Sequence, residues 1–259
     1  MLIKNDLPIL EIDTEKYGII EPNRKNNYKF PHKCILAFSN EEEEGVFLTT
    51  QKKKIGEYLT VTKNFNIYET VFKNENICFC QAPLGAPAAT QLMEFLIACG
   101  VKIFIAFGSC GNLVEMQENE IIIPSVALRD EGTSYHYIRP SREISLDHDV
   151  IECLCKVAKK FDISYKLCKT WTTDGFYRET KDMIKYRITE GCEVVEMECS
   201  ALAACAKLRE VKFGQVLFTA DSLANLEEHD DRNWGSDSFD TVFKFVLNSI
   251  YYIDKKIII

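Results

Sequence analysis

Glu196 and Glu198 flank Met197 in the run Val194-Val195-Glu196-Met197-Glu198, a combination suited to holding a sugar. A carboxylate accepts hydrogen bonds from vicinal hydroxyls, and a thioether offers a soft apolar floor under a ring. The same pair also suits the start of a helix, where glutamates offset the backbone dipole. Asp221 follows the apolar run Val216-Leu217-Phe218 and could protonate a leaving group, although an Asp after a strand also serves as an N-cap or turn residue. Gly108-Ser109-Cys110-Gly111 could turn backbone N–H groups and the Ser109 hydroxyl onto an anion, because glycine tolerates the torsions of such a concavity. A tight strand exit would read the same way. Phe176-Tyr177 could stack on a flat heteroaromatic ring, or close the edge of a core.

Chemistry from segments so far apart requires elements that bring them together, and each segment lies just after an apolar run. Open α/β sheets gather ligands at the carboxyl ends of their strands. Cys34 to Phe38 reads as a short buried strand, followed by the acidic run Glu41 to Glu44 and Gly45, a solvated turn. Glu69 to Lys73 and Ile77 to Gln81 flank Asn74-Glu75-Asn76 as a hairpin. A helix over Ala88 to Cys99 ends at Gly100, and the continuous apolar strand Lys102 to Phe107 then runs into the glycine segment Gly108 to Asn112, read as a loop. A strand at Glu120 to Ile123, a polar loop from Arg129 to Arg142, a helix near Asp149 to Phe161 and a strand at Tyr165 to Thr172 follow. The loop with Asp174 to Tyr177 leads to a short helix from Lys181. The last third predicts a strand at Glu193 to Val195, a helix from Glu198 to Leu208, a strand at Phe213 to Thr219 and a helix within Ser236 to Tyr252. This alternation predicts one domain over residues 1–259, a three-layer α/β/α sandwich around a central mixed β-sheet.

A chain of 259 residues, 46% hydrophobic, can bury a sizeable core as one such domain. A net charge of −8 makes the average field repel polyanions, so nucleic acid and anionic membrane are not expected partners, and a small metabolite is. The eleven cysteines are odd in number and sit mostly in apolar runs, as buried thiols of a reducing cytosol do. Neither Cys78/Cys80 nor Cys153/Cys155 joins a His pair at zinc spacing. Met1 to Asp6 has no signal-peptide core, and no apolar run reaches the ~20 residues that span a bilayer, so a cytoplasmic protein is expected.

Together these segments resemble the nucleoside phosphorylase superfamily, which holds the purine nucleoside and uridine phosphorylases and the methylthioadenosine nucleosidases. The likeness runs from about Gln81 to the C-terminus. Members carry an apolar strand and a GS/T-x-G segment, here Ile103 to Gly111, and later a V-E-M-E-x-A-like segment, here Val195 to Ala201, with an Asp after the next strand, here Asp221. The resemblance implies a nucleoside phosphorylase with phosphate as co-substrate, no metal or organic cofactor, and a homo-oligomer. It implies that Glu196, Met197 and Glu198 hold ribose, that Gly108 and Ser109 face phosphate or water, and that Asp221 protonates or hydrogen-bonds N7 of a purine. Thr173-Asp174-Gly175-Phe176-Tyr177 is similar to the S-D-x-F-Y segment of uridine phosphorylases, so Phe176 is expected to stack on the base, with Arg178 beside it. Arg129 to His136 also resembles a loop of the uridine enzymes.

The chain departs from the family at its phosphate residues. Of the usual G-D-P-x-R segment, Ile12-Asp13-Thr14-Glu15-Lys16 is a degraded version, with Lys16 as its cation, and Ala106 stands where members carry an arginine. Arginine grips phosphate in a bidentate way that lysine does not copy. Arg129, Arg139, Arg178 or a neighbouring subunit's arginine are candidates to replace it. A nucleosidase using water, with Glu11 as base, and a non-catalytic nucleoside binder are the alternatives. Asp221 points to purines, whereas Phe176-Tyr177 and the His136 segment point to uridine, and Arg178-Glu179-Thr180 lacks the Gln-x-Arg that reads uracil. The balance falls to purine.

Overall fold

A computed structural model of the chain describes residues 1–22, 27–39, 51–232 and 238–255. The acidic run Glu41 to Glu44 lies outside them. Leu2–Ile3 (β1) and Ile12–Asp13 (β2) form a small antiparallel pair at the N-terminus. All other strands join one ten-stranded sheet, formed by Lys33–Ala37 (β3), Lys53–Leu59 (β4), Asn64–Phe72 (β5), Glu75–Gln81 (β6), Ile103–Asn112 (β7), Ile121–Asp130 (β8), Glu143–Ser145 (β9), Lys166–Thr173 (β10), Cys192–Glu196 (β11) and Lys212–Ser222 (β12). Their order is β11-β10-β8-β12-β7-β3-β6-β5-β4, with β9 on β8. Pairing is parallel where β3 meets β6 and β7, and antiparallel where β12 meets β8, so the sheet is mixed as expected.

The central strands are apolar throughout because both faces are covered. Along β3 and β7, Cys34, Leu36, Phe104 and Ala106 enter one core while Ile35, Ala37, Ile105 and Phe107 enter the other. Helices Ala86–Ala98 (α1) and Cys199–Arg209 (α4) supply Leu92, Leu96 and Leu202 to the first core. His148–Lys160 (α2) and Phe239–Tyr252 (α5) supply Val150, Leu154, Phe243 and Val246 to the second. The short helix Lys181–Thr189 (α3) completes the set beside β11.

Three local readings are corrected. The glycine segment Gly108 to Asn112 is the second half of β7 rather than a loop, paired with β12 through Asn112. The strand read as ending at Ile123 continues to Asp130: Pro124 cannot donate to the ladder, and a register shift opposite Cys168/Lys169 lets pairing resume at Val126. Sequence reading also missed β4, whose Lys53, Lys54 and Glu57 lack apolar alternation but suit a sheet edge. The hairpin of β5 and β6 turns on Lys73 and Asn74, both at positive φ, as the tightest hairpin turns need.

β11 also pairs antiparallel with the end of β7, Val194 opposite Asn112 and Val195 opposite Gly111. Strands β7, β12, β8, β10 and β11 therefore close into a ring, and the residues singled out for chemistry gather at its rim.

Candidate active site

The two glutamates of the Glu196-Met197-Glu198 segment have different surroundings. Glu196, at the end of β11, is buried and accepts from Thr172 Oγ1 at 2.6 Å, from the backbone N–H of Glu198 at 2.8 Å and from that of Cys199 at 2.7 Å. It thus caps the N-terminus of α4, satisfying donors that the helix cannot satisfy itself. Glu196 borders the same cleft as Met197 and Glu198, and its oxygens are at the same time engaged within the protein, where they fix the junction. Glu198, though itself the N-cap residue, makes no capping bond with its side chain. Its Oε1 accepts from the N–H of Gly85, at the start of α1, at 2.6 Å, and it is 4% exposed. Burial, and then the nearby Glu196 carboxylate, push the Glu198 acid up to about 8 against the pull of the Gly85 N–H.

Asp221 is the penultimate residue of β12, where a register shift sets it opposite Gly111 of β7. A methyl group on Gly111 would lie 3.2 Å from Asp221 Oδ1, so glycine is what lets the carboxylate lie against the strand. Asp221 is 7% exposed, and its Oδ2 is 2.9 Å from Nε2 of His229, a partner that sequence reading missed. Gly108 has an analogous role: an added Cβ would meet Phe38 Cβ at 2.8 Å, and Phe38 leads the chain from β3 into the site. Gly108→Ala is therefore expected to destabilise the fold by roughly 1–3 kcal/mol, seen as a lower denaturation midpoint.

These residues border one cleft of about 1080 Å3. Gly108, Ser109, Met197, Glu198, Phe176 and Asp221 all line it, so most of the expected site residues are brought together. Ser109 is exposed within an otherwise buried stretch of β7, and Met197 is half-buried. Phe176 opens the single-turn 3-10 helix Phe176–Arg178 and is 41% exposed. With three residues per turn, Phe176 and Glu179 fall on one face of that turn, and Glu179 lines the cleft while Arg178 does not. The expectation of Arg178 as a base contact is corrected accordingly, and the spacing of three was the signal for Glu179.

The phosphate cations expected from sequence are elsewhere. Lys16 lies in a separate cleft of about 730 Å3, where its Nζ donates to Glu210 Oε1 at 2.6 Å and holds the N-terminal segment to the end of α4. Arg129 is buried, donating to Ser134 Oγ at 2.8 Å and to Ser141 Oγ at 2.7 Å. Neither Arg139 nor Glu11 lines the larger cleft, and His136 belongs to the smaller one. Among the described residues, the one cationic side chain lining the larger cleft is Lys63, between β4 and β5, whose Nζ donates to Gln81 Oε1 at 3.0 Å. It was missed with β4, because nothing in its local sequence ties that hairpin to the site.

The model of the phosphorylase superfamily matches residues 34–248. The chain is 24% identical over 205 residues to the purine nucleoside phosphorylase of Plasmodium vivax, covering 76% of this chain and 83% of that one. It is 23% identical over 161 residues to the guanosine phosphorylase of Halorubrum lacusprofundi, covering 62% and 67% of the two chains. In fold it is similar to the purine nucleoside phosphorylase of Toxoplasma gondii solved with immucillin-H, with a TM-score of 0.72 at 18% identity over 86% of this chain and 91% of that one. It is equally similar to the uridine phosphorylase of Vibrio fischeri, with a TM-score of 0.73 at 20% identity, covering 92% and 95%.

Proposed function

The chain belongs to the phosphorylase superfamily, and on that premise we propose that it cleaves the N-glycosidic bond of a purine nucleoside with phosphate, giving free base and pentose 1-phosphate. The observation that carries this reading is the convergence of Glu198 and Asp221, from two different strand ends, on one cleft that also holds Ser109 and Phe176. Met197 and Glu198 take the ribose, the carboxylate accepting its hydroxyls over the thioether. Phe176 stacks on the base and Asp221 faces N7. As the bond from C1′ to the base breaks, its electron pair moves into the base and positive charge builds on the ribose. Glu198 steadies that positive charge, and Asp221 with His229 delivers the proton that the leaving base takes up at N7. Phosphate attacks C1′ from the side of Ser109.

Lys63 supplies the cation for the phosphate in this reading, in place of the arginine that Ala106 replaces. Lys63→Ala is expected to raise KM for phosphate by about 10-fold or more, with KM for the nucleoside little changed, as loss of a charge-assisted hydrogen bond implies. Initial rates at varied phosphate measure this.

The reading is tested by release of free base from inosine, adenosine, guanosine, uridine and methylthioadenosine, each with and without phosphate. Phosphate-dependent release from purine nucleosides is the expected result. Release without phosphate would make the protein a nucleosidase, and tight nucleoside binding with no release a non-catalytic binder.

A further inference from the structure

Phe176 and Glu198 belong to different elements, the 3-10 turn after β10 and the start of α4, and one short loop is tied to both. Glu131 opens that loop directly after β8; it is 4% exposed and does not border the larger cleft. Its Oε2 accepts the N–H groups of Thr133 at 2.6 Å and Ser134 at 2.9 Å, which sets the shape of the loop. Its Oε1 accepts from Ser200 Oγ, in the first turn of α4, at 2.8 Å. The N–H of Ser200 donates in turn to Thr172 Oγ1 at 3.1 Å, and that hydroxyl donates to Glu196. Since Glu196 takes the N–H groups of Glu198 and Cys199, three successive donors at the start of α4 are held by one buried network that ends on Glu131. On its other side the loop meets the Phe176 turn. Gly132 N–H donates to Oδ2 of Asp174, two residues before Phe176, at 2.8 Å.

In the proposed reaction a nucleoside lays its base on Phe176 and its sugar on Glu198, so its binding depends on the spacing of the two. A free base or a pentose 1-phosphate touches one of them and does not sense that spacing. We propose that Glu131 is a positioning residue: it holds the loop of residues 131–134 as a brace that fixes the Phe176 turn against Glu198. It acts through Ser200 on one side and through Gly132 and Asp174 on the other, and touches no substrate itself. A brace of this kind sets the spacing before the nucleoside arrives, so the cost of ordering two separate elements is not taken out of binding. Every partner of the Glu131 carboxyl is a donor, and glutamine meets the same set: its carbonyl oxygen takes the two N–H groups, while its amide donates to Ser200 Oγ, which can also accept. This inference rests on the proposed purine nucleoside reading.

The test measures equilibrium binding of inosine in the absence of phosphate, of hypoxanthine and of ribose 1-phosphate, in the wild type, Ser200→Ala, Asp174→Ala, the double variant and Glu131→Gln. Ser200→Ala cuts the link to α4 and Asp174→Ala the link to the Phe176 turn, and neither removes an acceptor from the N–H groups that shape the loop around Glu131. Each is expected to weaken inosine binding by about 10-fold, with hypoxanthine and ribose 1-phosphate changed by less than about threefold. Because either cut releases the brace, the double variant should also lose about 10-fold, where independent effects would multiply to about 100-fold. Glu131→Gln should stay within about threefold of the wild type for all three ligands. Unchanged inosine binding in both single variants, losses that multiply, or half-ligands weakened as much as inosine would overturn the brace and leave the purine reading standing. No binding or cleavage of inosine by the wild type would overturn that reading and the brace with it.

Discussion

Glu198→Ala should lower kcat/KM for a natural nucleoside by at least ~10²-fold, equivalent to about 2.7 kcal/mol of transition-state stabilisation. The effect is large because, in the proposed reaction, the buried carboxylate meets the ribose and its attraction grows as positive charge develops on the sugar. It accepts from the backbone N–H of Gly85 at 2.6 Å, so removing it leaves that donor without its partner. Since the Glu198 acid is raised to about 8 and the reaction needs the carboxylate, kcat/KM of the wild type should rise with pH up to about 8. Glu198→Gln should lose that limb. Stability should move in the opposite direction. The folded acid sits above its ordinary value of 4.5, so its proton favours the folded state: this contribution is present at low pH and lost as pH rises towards about 8. The unliganded wild type should therefore lose stability across that window relative to Glu198→Gln, which denaturant titrations at several pH values would measure. Equal kcat/KM in folded Glu198→Ala and wild type would refute the assignment.

Asp221→Asn should lower kcat for inosine by at least ~10²-fold while leaving the fold intact, because the replacement keeps the shape beside Gly111 and removes the proton carrier. A nucleoside whose base is already methylated and cationic at N7 needs no proton there. With such a substrate the same variant should lose less than about 10-fold. The contrast separates proton delivery from general damage to the site, since damage would slow both substrates alike. A uniform loss would mean that Asp221 holds the base without protonating it.

Much of the site was legible because strand ends are legible. Apolar runs such as Ile103 to Phe107 and Val216 to Phe218 announce buried strands, and the polar residues that follow them stand at the rim by construction. The pair Glu196 and Glu198 was recognisable as a candidate for chemistry, but the division between their surroundings was not. That division depends on which carboxylate meets the N–H groups of Glu198 and Cys199 and which meets Gly85, a contact made from far along the chain. Which lysine borders the cleft was hidden for the same reason. Lys16 was read from a degraded motif, yet its segment folds against Glu210, and Lys63 arrives on a hairpin that pairs into the far side of the sheet. Arg178 and Glu179 were exchanged because a single 3-10 turn, invisible as a pattern, decides which of two neighbours faces the cleft.

The sequence by itself therefore determined the layers, the alternation of strands and helices, the family resemblance and the pair of acids on which the chemistry is proposed to turn. These follow from local properties: side-chain periodicity, the torsions that glycine permits, and residue types at strand ends. Only the tertiary structure decided that the sheet curls until β11 meets β7, that Asp221 lies against Gly111 beside His229, and that Lys63 and Glu179 share its cleft. Those arrangements are set by pairing and burial between residues distant in the chain, where the free energy depends on the partner met and not on the neighbours in sequence.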